Sequence, residues 1–567
     1  MSSTSSSCTG AEVLAKTLKG QGVDVVFGIV GIPVVEVAEA IIAEGIKFIG
    51  FRNEQSLSYA AGAYGYLTGR PGVCLVVSGP GVVHAMAGIV NSQYNCWPML
   101  LIGGSSHTYQ EGLGSFQEFN QVMFCQSNTK YSIRPPSISQ IPQIIDRAIK
   151  ISMYGRPGPV YFDFPANFIQ GSISFNSLDF PERKAFDPPK SLADLTSIKL
   201  AIELLSNAKR PLIIVGKGAA FARAEQGVKE FIEKTGIPFL PTPMGKGVIS
   251  DTHPLCMAAA RSKALVEADV ILLLGARLNW ILHFGSPPKY DKNVKFIQVD
   301  IYPEEHFNNS RIQVSLFGHL SLVLSQLIEN LPKSFKYPSN SEYLQSLKRK
   351  ISQNLNLSNQ KFQENSIPMT YHRAYWEIKK RLPQKDLVFI SEGAKTMDLA
   401  RTIFDMHEPR CRLDAGTFGT MGVGMGSAIA AKCCYPQKLV VSVVGDSAFG
   451  FSAMEVETVV RANLPMIIII INNNGIYQGF DIKTYNSIPI NNLPSTALLP
   501  DVRYDLIADA TGGKGYFVRT PKELGDALDD SLLKLLEFKC VVINVMVQPQ
   551  SEKTGFAWVE SANKPKL

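Results

Sequence analysis

Short unbroken apolar runs alternate with amphipathic stretches along the chain, in three successive blocks. The first block carries "DVVFGIVG", "VCLVVSG" and "PMLLIGGSS"; the second carries "RPLIIVGKG", "ADVILLLGARL" and "KFIQVDI". The third carries "LVFISEG", "KLVVSVVGD", "PMIIIIINNN" and "CVVINVMV". Apolar runs without polar alternation predict strands covered on both faces, hence parallel sheets flanked by helices. The pattern predicts an α/β protein with three doubly wound parallel-sheet domains, at residues 1–180, 190–330 and 369–550. Residues 171–190 are polar and proline-bearing and read as a linker. Residues 331–368, rich in Lys, Ser, Asn and Gln, read as a second linker with room for a solvated helix, and 551–567 as a C-terminal tail.

Composition narrows the class. A chain of 567 residues is too long for one hydrophobic core. The net charge of +7 is spread without any Lys/Arg block, which speaks against a nucleic-acid partner. The nine cysteines are scattered with no C-x-x-C pair, so neither a disulfide framework nor a zinc site is expected. No window of 18 apolar residues predicts a membrane span. The serine-rich start lacks the apolar core of a signal peptide. The end, Pro565-Lys566-Leu567, resembles the S-K-L peroxisomal address, which an import receptor would read; without it a cytoplasmic home is expected.

The candidate chemistry lies in "VVGDSAFGFSAMEVETVVRANLPMIIIIINNNGIYQGF". Asp446 and Asn473 each follow an apolar run, so they stand at the carboxyl ends of two consecutive parallel strands. Ligands of open α/β sheets bind at that edge. A carboxylate oxygen, an amide oxygen and the Gly475 carbonyl are hard ligands suited to Mg²⁺, which keeps phosphate oxygens in its other positions. Ser452 and Glu455 fit an S-x-x-E capping box that would start the intervening helix. A lone acid at a strand tip is ordinary; the whole pattern at this spacing favours a metal-held diphosphate.

This stretch resembles the thiamine diphosphate motif, G-D-G followed by N-N, with Ser447 in place of the third glycine. The resemblance implies that Asp446, Asn473 and the Gly475 carbonyl hold Mg²⁺ on the cofactor's diphosphate, with Gly445, Ser447, Ala448 and Ile476 beside it. Glu54, in "FRNEQ", matches the family's activating acid, which bonds the aminopyrimidine ring. Standing alone it would read as a helix N-terminal acid stabilised by the dipole. Met421, in "GTFGTMGVGMG", would be the apolar prop that bends the cofactor, with Gly419 letting backbone approach; a core methionine is the plain alternative. Glu54 and the metal motif lie in different domains. In the family the two domains meet across subunits, which implies a homodimer or homotetramer.

Further stretches, among them "FGIVGIPV", "GSFQEFNQV", "GRPGPVYFDFPANF", "LLLGARLNWILHFG" and "PDVRYDL", resemble 2-hydroxyacyl-CoA lyases and oxalyl-CoA decarboxylases along nearly the whole chain. That branch implies cleavage of a 2-hydroxyacyl-CoA to formyl-CoA and an aldehyde, or decarboxylation of oxalyl-CoA. Gln117 and Glu118 match the lyases' active-site Q-E pair. Tyr477 would lie over the thiazolium, and Ile32 and Pro33 near the pyrimidine. Where the family reads "EGANTMD" this chain has "EGAKTMD", so Ala394 and Lys395 stand beside the cofactor with a cation replacing an amide. The oxalyl-CoA branch binds ADP in its central domain. Arg277 and Asp300 are therefore candidates for ADP contacts and Arg156 for phosphate; each serves equally well as an ion-pair partner. His84 is read as structural, facing a helix packed on the sheet. An acetolactate synthase-like enzyme and a cofactor-free scaffold are the less favoured alternatives.

Overall fold

The computed structural model describes residues 7–182, 184–308 and 311–549. Pro565-Lys566-Leu567 lies outside the described residues. The N-terminal sheet is six-stranded and parallel, in the order Lys47–Gly50, Val25–Gly28, Gly72–Val76, Met99–Ser105, Pro159–Pro165, Ser132–Ile133. The central sheet has five parallel strands, in the order Phe239–Pro241, Pro211–Val215, Val270–Leu274, Lys295–Asp300, Ile312–Phe317. The C-terminal sheet repeats the six-stranded winding: Arg412–Leu413, Leu387–Glu392, Leu439–Gly445, Met466–Asn472, Cys540–Met546, Lys514–Val518. The expected α/β architecture of three parallel sheets is therefore observed.

Every residue of Met466–Asn472 is buried, as a central strand covered by helices on both faces must be. One continuous apolar cluster joins all three sheets, and a second fills the other face of the N-terminal sheet. A helix of 21 residues, Glu342–Phe362, lies between the central and C-terminal sheets. No helix of the described residues is long and apolar enough to cross a membrane.

Two features of the winding position the site. In the C-terminal sheet the chain leaves Leu387–Glu392, forms Arg412–Leu413 on one side, then crosses to form Leu439–Gly445 on the other. That reversal opens a crevice at the strand tips between Glu392 and Gly445. In the N-terminal domain the helices Glu54–Thr68 and Pro80–Asn95 pack tightly at glycines. A Cβ on Gly88 would fall well inside contact distance of Ser58, and a Cβ on Gly62 would do the same to Ser92. Both pairs are offset by 30 positions, so the helices run parallel in a locked register.

The capping box at Ser452 and Glu455 is not formed. Asp446–Gly450 is itself a short helix, and the next helix, Glu455–Arg461, opens only at Glu455, with Met454 as its uncapped N-terminal neighbour. Ser452 Oγ is buried with no hydrogen-bond partner among the described residues. The Glu455 carboxylate turns instead to the N-terminal domain, accepting from Arg52 N at 3.3 Å, and it also accepts from Thr458 Oγ1 of its own helix at 2.7 Å. A tertiary partner outcompetes the local cap.

Candidate cofactor site

At the C-terminal switch point Asp446 and Asn473 lie at the tips of neighbouring strands, Leu439–Gly445 and Met466–Asn472. The Gly475 N–H joins them, donating to Asp446 Oδ2 at 3.1 Å and to Asn473 Oδ1 at 3.2 Å. Ser447 N donates to Asp446 Oδ1 at 2.8 Å. Asn473 Nδ2 donates to the Tyr371 hydroxyl oxygen at 2.7 Å and to the Tyr477 carbonyl at 3.2 Å, which turns its amide oxygen toward the acid. Gly479, at φ +79°, closes this turn where a Cβ would strike Asn473. Burial pushes the Asp446 carboxyl up to about 6, partly countered by the backbone N–H groups of Ser447, Gly475, Asn473 and Asn474. A buried carboxylate beside an amide oxygen at neighbouring strand tips is a donor set that fits a hard divalent ion.

The flanking residues gather at the same edge. Gly393 backs onto Gly445, so the helix Ala394–Ile403 begins beside the acid. The Lys395 ammonium lies 5.7 Å from the Tyr371 ring centre. Met421 is half-buried directly before the helix Val423–Cys434. The buried Glu392 carboxylate caps that helix, accepting from Gly422 N and, at 2.6 Å, from Gly424 N. Burial pushes Glu392 up to about 7. Gly419 is exposed and approaches Trp280 of the central domain.

A second set lies at the tips of the N-terminal sheet. Glu54 is the first residue of its helix, capped by Asn53, whose side chain accepts from Gln55 N at 2.7 Å. Ser78 Oγ donates to Gln117 Oε1 at 3.1 Å. Glu118 is turned into its own loop: its carboxylate accepts from Gly112, Gly114 and Ser115 N–H groups, which hold it below the usual carboxylate range. Ile32 is 71% exposed, and Pro33 packs against Gly104. His84, read from the sequence as structural, sits beside Glu54. Its side chain is 60% exposed, and Nδ1 lies 3.2 Å from Glu54 Oε2. Helix packing, not burial, puts it there. Within one chain no hydrogen bond joins Glu54 to Asp446 or Asn473 among the described residues.

A cavity of about 660 Å³ separates the N-terminal and central domains. Arg156, Lys217, Arg277 and Asp300 line it. Arg156 bonds Glu305 at 2.6 Å and stacks over Tyr302, with Asp300 3.9 Å away. Burial pushes the Asp300 carboxyl up to about 6, partly countered by Arg156. Arg277 donates to the Tyr94 carbonyl at 2.9 Å and to Thr417 Oγ1 at 3.1 Å. Burial, with Arg277 adding, pushes the Lys217 ammonium down to about 7.

Comparison with known proteins identifies the fold family. Three descriptions of thiamine pyrophosphate enzymes match in order: the N-terminal TPP binding domain at residues 8–124, the central domain at 198–327 and the C-terminal TPP binding domain at 392–545. The chain belongs to the thiamine pyrophosphate enzyme family. Within this family it is 50% identical to 2-hydroxyacyl-CoA lyase 1 of Homo sapiens, covering 98% of this chain and 97% of that protein. It is 43% identical to the 2-hydroxyacyl-CoA lyase of Arabidopsis thaliana, covering 96% of each chain. It is 40% identical to the oxalyl-CoA decarboxylase of Escherichia coli (strain K12), covering 95% of each chain. The Asp446 crevice lies in the stretch matched to the C-terminal TPP binding domain, and Glu54 in that matched to the N-terminal one. The sequence pattern passed over His84, Tyr371, Glu392 and Lys217 as site residues. Only Glu392 and Lys217 carried a local signal, a strand-end acid in "SEGAK" and a strand-end lysine in "VGKGAA".

Proposed function

We propose that the chain is a carbon–carbon lyase that cleaves a 2-hydroxyacyl-CoA between C1 and C2, releasing formyl-CoA and an aldehyde one carbon shorter. The observation that carries this is the buried pair Asp446 and Asn473, bridged by the Gly475 N–H at the switch point. It gains its substrate class from the lyases of the human and plant relatives. Thiamine diphosphate, when bound, supplies the electron sink for the carbanion left when that bond breaks. Asp446, Asn473 and Gly475 hold Mg²⁺ on the diphosphate, while Gly445, Ser447 and Ala448 line its approach. Met421, just before the helix that Glu392 caps, would prop the cofactor. Glu54 holds and returns a proton at the aminopyrimidine ring. Gln117 and Tyr477 orient the substrate, and Glu118 shapes the loop that carries Gln117.

No hydrogen bond joins Glu54 to Asp446 within one chain among the described residues, which supports a complete site formed between two copies. Exposed Ile32, Phe116, Met123, Phe451, Met454 and Ile476, next to both sets of residues, support a homodimer or a tetramer of dimers. The cavity lined by Arg156, Lys217, Arg277 and Asp300 has the charge and size to take an adenine nucleotide diphosphate, either the CoA end of the substrate or free ADP. The resemblance of Pro565-Lys566-Leu567 to the S-K-L address supports a peroxisomal home and an import-receptor partner as part of this reading.

Oxalyl-CoA decarboxylation is the second reading, favoured by 40% identity to the bacterial decarboxylase across 95% of the chain. The deciding experiment offers 2-hydroxyacyl-CoA and oxalyl-CoA side by side with thiamine diphosphate and Mg²⁺. Formyl-CoA with aldehyde supports the lyase; formyl-CoA with CO₂ from oxalyl-CoA alone overturns it.

A further inference from the structure

We propose that His84 is a positioning residue for Glu54: its imidazole holds one oxygen of the Glu54 carboxylate and leaves the other facing the cofactor's aminopyrimidine ring. This rests on Glu54 being the activating acid.

Three observations carry it. First, His84 Nδ1 lies 3.2 Å from Glu54 Oε2, and among the described residues no other side chain bonds that carboxylate. With Nδ1 protonated the imidazole donates to Oε2, and Oε1 stays open. Second, the pair is built into the helix register. Glu54/His84, Ser58/Gly88 and Gly62/Ser92 share one offset of 30 positions, and the last two are glycine contacts that admit no side chain. The start of the second helix is fixed independently, because Gly79 N donates to Gln121 Oε1 at 2.9 Å. Gln121 is itself buried and bonded to Asp163, Tyr161 and the Gly104 carbonyl. Third, the neighbours of Glu54 are committed elsewhere. Asn53 caps the helix, and Arg52 N is bonded to Glu455. His84 is 60% exposed while Glu54 is only 16% exposed, so the ring does not pack a core; it leans over the acid from the rim. A catalytic carboxylate held by one rigidly mounted partner keeps a single orientation.

The test compares the parent with His84→Leu, which keeps bulk but removes the donor, and His84→Asn, whose Nδ2 stands where Nδ1 did. His84→Ala serves if the leucine variant does not fold. Two readouts are taken on full-length protein with thiamine diphosphate and Mg²⁺. The first is the thermal shift on cofactor binding; the second is deuterium exchange of the cofactor's thiazolium C2 proton, read by NMR after acid quench. The expected result is an unchanged thermal shift in all variants. Exchange is expected to slow about tenfold in His84→Leu and His84→Ala, and to recover to within about threefold of the parent in His84→Asn. Adding His84→Leu to Glu54→Gln should cause no further slowing. Parental exchange in His84→Leu and His84→Ala, with Glu54→Gln slow, overturns the role of His84 alone. Parental exchange in Glu54→Gln as well shows that the fault lies with Glu54. Slowing in His84→Asn equal to that in His84→Leu also overturns it, because the donor would then not matter.

Discussion

The Tyr371 hydroxyl oxygen accepts from Asn473 Nδ2 at 2.7 Å and so fixes which end of that amide faces Asp446. Tyr371 is buried and comes from the start of the helix Tyr371–Lys379, far in sequence from the strand it serves. An amide that coordinates a cation must present its oxygen, and a partner for the nitrogen enforces that. Tyr371→Phe should therefore weaken Mg²⁺-dependent binding of thiamine diphosphate about tenfold while leaving the fold intact. Calorimetric titration of the cofactor with and without Mg²⁺ checks this. An unchanged affinity means the amide needs no such constraint.

Asp446→Asn keeps the shape of the tip and removes its charge. Its single amide oxygen can accept from only one of two N–H groups, Ser447 on Oδ1 or Gly475 on Oδ2, so the apo protein should lose about 1–3 kcal/mol of stability. The stabilisation by thiamine diphosphate with Mg²⁺ should vanish in a thermal-shift assay, because no anionic ligand remains for the ion. A full shift in this variant rules Asp446 out as the metal-holding acid.

Gly88→Ala should destabilise the N-terminal domain by about 1–3 kcal/mol, since its methyl would collide with Ser58 in a well-packed helix pair. Ser58→Gly in the same chain removes the hydroxymethyl group but leaves the Ser58 backbone carbon 2.5 Å from that methyl, so it should recover only part of the loss. Thermal unfolding of the two single variants and the double variant measures the coupling. If the losses simply add, the contact does not set the register.

Glu392 gives the apo protein a pH signature. Burial raises its folded pKa to about 7 from an ordinary value of 4.5. Between those values the folded state binds the proton that the unfolded state has released. Stability is therefore full below about 4.5, falls as pH rises, and levels off above about 7. The loss is at most about 3 kcal/mol. Glu392→Gln should flatten that part of the profile, measured by urea unfolding of apo protein from pH 5 to 8. A parental slope in the variant assigns the titration to another group.

Lys217→Met keeps the stem of the side chain and removes its ammonium from the cavity between the N-terminal and central domains. It loses the bonds to Asn95 Oδ1, at 2.6 Å, and Thr417 Oγ1, at 3.0 Å. Binding of ADP should weaken about tenfold or more by calorimetry, as loss of a charge-assisted bond to phosphate requires. Unaltered ADP binding removes Lys217 from the nucleotide contacts.

The sequence by itself determined the three parallel sheets, because "MIIIIIN" and "VILLL" leave no polar face for solvent and can only be central strands. It also determined that Asp446 and Asn473 stand at neighbouring strand tips, since each ends such a run. What it could not decide were relations across many residues. The S-x-x-E spacing of Ser452 and Glu455 satisfies a local rule, yet the Glu455 carboxylate is drawn to Arg52 N, a partner 403 positions away. His84 looked like one more helix residue because its meaning depends on the register of two helices. That register is set where Gly62 and Gly88 let their neighbours come close. Tyr371 serves Asn473 only once its helix is docked on the sheet. Periodicity reports which face a residue takes; side-chain partners follow from close packing between elements, which no local pattern encodes.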